Sequence, residues 1–109
     1  MAKDLVLQLR YIGMLPKIEY REYRFFIDDK DKGVRPVILT IDNGFFLKNL
    51  LMFQEAPDLC YQKLLSDLRS ETKDTPIRGR SQVTAADIEF YRDAHPTTRS
   101  RKGALRRGL

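Results

Sequence analysis

Residues 37–68 read VILTIDNGFFLKNLLMFQEAPDLCYQKLLSDL, the most apolar stretch of the chain. Residues 37–41 alternate and are rich in β-branched side chains, which predicts a strand. Residues 58–69 have the spacing of an amphipathic helix, whose apolar positions are Tyr61, Leu64, Leu65 and Leu68. No other segment offers as much apolar surface, so we expect the flanking strands to pack on this one.

Two stretches before this core segment also alternate between apolar and polar residues. In residues 4–11, Leu5, Leu7, Leu9 and Tyr11 point to one side, and Gln8 and Arg10 point to the other. This period of two predicts a half-buried strand, which we expect Gly13 and Pro16 to end. In residues 20–28, Tyr23, Phe25 and Ile27 form one face, and Glu22 and Arg24 lie on the other. The charged turn at 28–33 then joins this second strand to residues 34–41, and the pair predicts an antiparallel hairpin.

Within residues 34–41, the apolar face consists of Val37, Leu39 and Ile41. Pro36 has no N–H to donate, so it should lie at the start of the strand or on a sheet edge.

The Asn43-Gly44 pair has two interpretations. Asn-Gly is a strong hairpin signal, and a hairpin here would make Phe45 the start of another strand. Residues 45–54, however, contain no β-branched side chain and are rich in good helix formers. We therefore predict a helix over 45–54, with Asp42 or Asn43 as its N-cap.

The C-terminal third predicts one weak strand and one helix. Residues 77–83 alternate, with Ile77 and Val83 facing inward. Thr84 and Asp87 have the spacing of a capping box, which should open a helix that runs to Ala94. Pro96 ends it.

Clustered strands followed by clustered helices predict an α+β fold. We expect a small antiparallel sheet of three to four strands, packed on one face by two to three helices. At 109 residues the chain has room for one such domain, assigned to residues 1–94. The charged fraction of 32% and hydrophobic fraction of 42% are those of a globular protein.

The positive charge is concentrated at one end of the chain. Residues 1–94 contain 15 Lys and Arg against 15 Asp and Glu, so the net charge of +5 comes from residues 95–109. This basic tail has no apolar periodicity, and we expect it to be disordered when alone. Its cations are Arg99, Arg101, Lys102, Arg106 and Arg107.

Nucleic acid is the acidic partner that such a tail fits most simply, because Lys and Arg neutralise phosphates. Arg78 and Arg80 on the predicted fourth strand would extend the basic surface, and Arg24 and Arg10 could join them. Tyr11 or Tyr23 would then stack on bases. Glu22 and Asp28 fall on the same sheet face and oppose this extension.

No residue pattern predicts catalysis, a cofactor or a metal site. Cys60 is the chain's one cysteine, lies in an apolar helix and has no histidine near it in sequence, so we expect a buried structural thiol. His95 alone lacks the additional ligands that zinc requires. In the turn at 28–33, Lys30 and Lys32 occupy positions at which a calcium loop needs oxygen ligands, and an ammonium group cannot bind calcium.

We also expect a cytoplasmic protein. The N-terminus has no signal-peptide pattern, because Asp4 and Arg10 interrupt its apolar residues, and no apolar run is long enough to span a bilayer. A single cysteine fits a reducing compartment.

The favoured hypothesis is a small non-enzymatic binding module whose basic tail contacts nucleic acid. The alternative is a protein–protein adaptor or inhibitor that uses an exposed apolar helix face or a sheet edge. Its contact residues would be Phe45, Phe46 and Phe53, on two sides of the predicted helix, and a second copy of the chain could cover them. A small enzyme ranks third.

Overall fold

The computed structural model describes residues 7–29 and 33–94. Four strands and three helices occur in the order β1 Leu7–Pro16, β2 Tyr20–Asp29, β3 Gly33–Asp42, α1 Asn43–Leu47, α2 Ala56–Arg69, β4 Arg80–Gln82 and α3 Ala85–Ala94. The strands form one sheet in the order β1-β2-β3-β4, and the helices pack on one of its faces. The predicted α+β fold is therefore confirmed. The basic tail and His95 lie outside the described residues.

The first three strands form the antiparallel meander that the sequence predicts. The fourth differs, because Arg80–Gln82 pairs parallel to β3 and makes the sheet mixed. A parallel partner needs a long crossover, and the segment through α1 and α2 supplies it. This strand is also shorter than the predicted 77–83. Strand β4 pairs with Ile38, Leu39 and Thr40 of β3. Pro36 therefore lies on a part of β3 that β4 does not reach, in agreement with the predicted position of Pro36 on a sheet edge.

Strand β1 is longer than predicted. Gly13 does not end it but forms a β-bulge, at which the register with β2 shifts between Tyr11 and Gly13. The φ angle of Gly13 is 154°, a conformation that side chains with a Cβ rarely adopt. Because the bulge inserts one residue, Met14 packs on the core side together with Tyr11. Residues 4–6 of the predicted strand lie outside the described residues.

The helix predicted over 45–54 is wrong in extent, and the alternative strand does not form. Helix α1 stops at Leu47, because Asn49 adopts a left-handed conformation with a φ of 60°. The amides of Asn49 and Leu50 then donate to the carbonyls of Phe46 and Phe45 at 3.0 and 2.9 Å, the bonds of a Schellman motif. The predicted cap is right: Asp42 accepts a 2.7 Å hydrogen bond from the Gly44 amide.

Helix α2 lies over the sheet and supplies much of the core. It starts at Ala56, two residues before the predicted start, with Pro57 in its first turn, where a missing N–H costs little. Leu64 and Leu68 are buried as predicted, but Leu65 is only half-buried. The core of the described residues consists of Tyr23, Phe25, Ile27, Val37, Leu39, Ile41, Phe46, Leu51, Ala56, Leu59, Cys60, Leu64, Leu68, Val83, Ile88 and Tyr91.

Helix α3 is held against α2 by polar contacts around a small apolar face. The capping box forms as predicted, since Thr84 Oγ1 accepts from the Asp87 amide and Asp87 accepts from the Thr84 amide. The Tyr91 hydroxyl donates a 2.7 Å hydrogen bond to Asp58. Arg92 donates to the carbonyl of Leu50, which ties α3 to the turn after α1. These contacts place α3 beside the segment that carries Phe53.

Candidate binding surfaces

The three phenylalanines predicted to bind a partner occupy three different environments. Phe45 is half-buried against the core, and Phe46 is 8% exposed within it. Phe53 is 55% exposed, and its ring centroid lies 4.7 Å from that of Phe46. Because the chain turns at Asn49, the three rings do not lie on two sides of one helix. Phe53 is the most exposed of the three residues.

Arg21 lies against the rings of Phe46 and Phe53. Its guanidinium carbon is 3.9 Å from the centroid of Phe53 and 5.4 Å from that of Phe46, within the range of cation–π attraction. The three side chains form part of a surface cavity of about 280 Å³. This Phe53 pocket is lined by Pro16, Lys17, Arg21, Asn43, Phe46, Leu47 and Phe53.

The Phe53 pocket carries positive charge. Lys17 and Arg21 line it, and no carboxylate is among its described lining residues. Lys17 also lies near enough to Glu22 to help lower the pKa of that carboxyl. The pocket is therefore both apolar and cationic, which favours ligands that combine an apolar group with a negative charge.

Sequence reasoning missed Arg21, although the sequence holds a signal for it. Arg21 precedes Tyr23, Phe25 and Ile27 by an even number of residues, so its side chain points to the same face of β2. It therefore falls on the core side of the sheet, near the start of β2. A cation on an otherwise apolar strand face needs a partner. The partner here is aromatic and comes from the segment after α1, which no local pattern connects to β2.

Further exposed apolar side chains adjoin the pocket. Leu47 on its rim is 81% exposed. Ile18, in the turn between β1 and β2, is 96% exposed. That turn is fixed to the start of α1, because the Asn43 side chain donates to the Ile18 carbonyl at 3.1 Å and the Asn43 amide donates to the Glu19 carbonyl at 2.9 Å. The exposed apolar residues thus sit on backbone that is held in place.

The sheet face opposite the helices carries the predicted Arg24 and Arg80. Both donate to Glu22, at 3.0 and 2.8 Å, and Arg80 also donates to the Tyr20 hydroxyl at 3.2 Å. These hydrogen bonds hold the pKa of Glu22 below its ordinary value. Glu22 is buried although helices do not cover this face. Glu22 therefore balances one of the two positive charges that Arg24 and Arg80 bring to this face.

Other parts of the predicted basic surface are dispersed. Arg10 and Arg78 are exposed, on opposite edge regions of the sheet. Tyr23 is 1% exposed and packs on the helix side, so it cannot stack on a base as predicted. Tyr11 is 43% exposed, with its ring centroid 5.3 Å from that of Phe25. Arg99, Arg101, Lys102, Arg106 and Arg107 lie outside the described residues.

Cys60 is fully buried, as predicted, and burial raises the pKa of its thiol to about 12. Such a thiol is a poor nucleophile. Across residues 7–29 and 33–94, no three His, Cys, Asp or Glu side chains are grouped closely enough to hold a metal ion. No helix in these ranges is both long and apolar enough to cross a membrane.

Comparison of the chain with models of known protein families, with curated proteins and with solved structures finds no match. Its candidate surfaces are therefore interpreted from their own chemistry.

Proposed function

We propose that the protein is a small binding module without catalytic activity, and that its Phe53 pocket binds an acidic, apolar segment of a partner protein. The observation that carries the proposal is an exposed phenylalanine that shares a pocket with two cations, in the absence of any carboxylate among the described lining residues. The proposal is a form of the adaptor hypothesis. Its contact residues are those that line the Phe53 pocket, instead of Phe45, Phe46 and Phe53 together.

Phe53 and Leu47 supply the exposed apolar surface that a partner would cover. They expose 55% and 81% of their surface, and both line the pocket. Covering apolar surface contributes about 25 cal/mol per Å² removed from water. A carboxylate of the partner would gain charge attraction from Arg21, whose contact with two rings already excludes part of its water.

The size of the pocket favours a side chain over a cofactor. Its volume of about 280 Å³ falls just below the roughly 300–1,000 Å³ of pockets that enclose drug-sized ligands. It fits one large apolar side chain, with neighbouring residues of the partner lying over the rim. A peptide segment is therefore the occupant that we propose.

A defined pair of peptides tests this function. Both carry the same Leu and Phe residues, and these are flanked by Glu in one peptide and by Lys in the other. Fluorescence polarisation should detect binding of the Glu peptide and much weaker binding of the Lys peptide. Equal binding of both, or of neither, would contradict the proposal.

Matched variants locate the contact. Phe53→Ser and Leu47→Ser should each weaken the Glu peptide by about tenfold, the equivalent of about 1.4 kcal/mol. Phe90→Ser is the control, because Phe90 is 71% exposed on α3 and does not line the pocket. If Phe90→Ser weakens binding as much as Phe53→Ser, the peptide binds apolar surface without preference for the pocket.

A second candidate function is contact with nucleic acid through the basic tail. The sequence observation that favours it is the set of five Lys and Arg in residues 95–109, without an acidic residue among them. Five cations that can each approach a phosphate should give weak, sequence-indifferent binding. Arg78 would extend this contact more readily than Arg80, since Arg80 is engaged with Glu22.

Oligonucleotide binding across salt concentrations tests the tail. The affinity should fall with a log–log slope of about −0.7 to −0.9 per phosphate neutralised. Replacing Arg99, Arg101, Lys102, Arg106 and Arg107 with Gln should abolish binding. The control replaces two exposed lysines of the folded part, Lys48→Gln and Lys73→Gln, and should change binding little. Unchanged affinity after the five tail replacements would make the tail irrelevant to nucleic acid.

A further inference from the structure

Among the residues that the structure describes, strand β1 forms a long sheet edge. It has ten residues and pairs with β2 on one side, while the opposite edge of the sheet is the three-residue β4. An edge strand presents alternate backbone N–H and C=O groups away from its neighbour, and another strand can pair with them.

Strand β1 has few of the features that usually protect an edge. Its sequence, LQLRYIGMLP, contains a single charge, that of Arg10. Tyr11, Ile12 and Leu15 expose between 40% and 50% of their surface. Two of its three protective features, the bulge at Gly13 and Pro16, fall in its second half, and Arg10 is the one in the first half. The first half pairs with β2 without a register shift from Leu7 to Tyr11, so a regular strand is available there.

Helix α2 packs against β1 and carries two incompletely covered apolar residues. Tyr61 and Leu65 are one helical turn apart and are both half-buried. Tyr61 contacts Phe25 at 6.5 Å between ring centroids, and Phe25 in turn contacts the edge residue Tyr11 at 5.3 Å. Tyr61 is thus connected to the edge through the ring of Phe25.

We infer that the first half of β1 pairs antiparallel with β1 of a second copy of this chain, which joins the two sheets into one of eight strands. A two-fold axis perpendicular to the sheet relates antiparallel neighbours and leaves the helices of both copies on the same face. Tyr61 and Leu65 of each copy then border the new interface. Recognition of a different protein through charge would need several charged side chains on the edge, and β1 has one, Arg10. Pairing with a second copy does not depend on such recognition.

Charge also restricts the register of this pairing. Gln8 and Arg10 point to the same sheet face, so a register that keeps the faces aligned sets Gln8 opposite or diagonal to Arg10 of the second copy. A register that opposed the two Arg10 side chains would bring like charges together and would move the pairing toward the bulge. The interface lies at the Leu7 end of β1, away from the Phe53 pocket, which Pro16 lines at the other end.

Two variants of one exposed residue test the inference with the full chain. Light scattering coupled to size exclusion, over a series of protein concentrations, should show a dimer for the unmodified protein. Gln8→Lys places a second cation near Arg10 of the other copy and should weaken the dimer at least tenfold. Gln8→Glu should leave it as strong or stronger. A monomer at every concentration, or equal association of both variants, would overturn the inference.

Cross-linking tests the contact without relying on stability. A mixture of Gln8→Cys and Arg10→Cys proteins should form an intermolecular disulfide under mild oxidation. Facing residues of antiparallel strands lie about 4.5–5.5 Å apart between Cα atoms, within the range of about 4.4–6.8 Å that a disulfide spans. Cys60 is buried and does not compete. Ile18→Cys, 96% exposed outside β1, is the control and should remain unlinked. Cross-linking of Ile18→Cys alone would place any dimer contact elsewhere and overturn the inference.

Discussion

Arg80 on β4 donates a 2.8 Å hydrogen bond to Glu22 on β2, reaching across the intervening strand β3. The contact fastens a three-residue strand to the middle of the sheet. Glu22 is buried, while the side chain of Arg80 is half exposed. The carboxylate is thus the member of the pair that depends on its partners for the hydrogen bonds that water would otherwise provide.

This arrangement predicts how acid affects stability. Hydrogen bonds from Arg80 and Arg24 lower the pKa of Glu22 below its ordinary value of 4.5. The carboxylate therefore stabilises the fold above pH 4.5, and this contribution is lost as the pH falls through the lowered folded pKa. We expect Glu22→Gln to be less stable than the unmodified protein at neutral pH, with a smaller loss of stability on acidification.

Urea unfolding over a series of pH values measures this effect. The exposed Glu89→Gln on α3 is the matched control and should retain the pH dependence of the unmodified protein. If Glu22→Gln lost stability in acid as steeply as the control, the ion pairs of Glu22 would not contribute to the pH dependence.

Neighbouring leucines of α2 should differ in their importance. Leu64 is 1% exposed, and Leu64→Ala should lower the free energy of unfolding by about 2–5 kcal/mol. Leu65→Ala should cost clearly less, because Leu65 is half-buried. Leu47→Ala, at an 81% exposed position, should change stability by less than about 0.5 kcal/mol. Chemical denaturation compares all three variants, and equal losses at positions 64 and 65 would contradict the orientation of α2.

Cys60 should be unreactive in the folded protein. Burial raises the pKa of its thiol to about 12 from an ordinary value of 9.0, so the thiolate is scarce near neutral pH. A thiol-specific reagent should modify Cys60 only through unfolding, and faster in the destabilised Leu64→Ala variant. The raised pKa also affects stability, because the thiol ionises at a lower pH in the unfolded chain than in the folded protein. The stabilisation present below pH 9.0 is therefore lost, and the free energy of unfolding decreases, as the pH rises toward 12. Rapid modification that is independent of denaturant would show that the thiol is accessible.

Two glycines should respond differently to the same substitution. Gly13 has a φ of 154° at the bulge, and Gly13→Ala should cost about 1–3 kcal/mol through backbone strain. A Cβ at Gly79 would meet the Pro36 carbonyl oxygen at 3.9 Å, an ordinary contact. Gly79→Ala should therefore be tolerated. Thermal unfolding of the pair distinguishes strain at the bulge from a general effect of replacing glycine.

Local sequence patterns predicted the features that depend on neighbouring residues. The alternation in β2 and β3 placed Tyr23, Phe25, Leu39 and Ile41 in the core, because successive strand side chains point to opposite faces. The capping box of Thr84 and Asp87 located the start of α3 for a similar reason, since both of its hydrogen bonds span three residues.

The end of α1 and the bulge in β1 lie between local and tertiary control. Asn49 is a residue type that favours the left-handed cap, so a local signal for the end of α1 was present and was outweighed by helix propensity. Gly13 was recognised as an interruption, but whether a glycine ends a strand or forms a bulge depends on the neighbouring strand. The pairing of Met14 with Tyr23 on β2 decides this case.

The sequence by itself determined the alternating strands, the helix caps and the neutral charge of residues 1–94 against a basic tail, because each follows from residues close together in the chain. Only the tertiary structure decided that Arg21 meets Phe53, that Arg80 meets Glu22 and that β4 runs parallel to β3. These contacts join residues 32 to 58 positions apart. Their partners are selected by how the strands and helices pack, and no period of two or 3.6 residues records that choice.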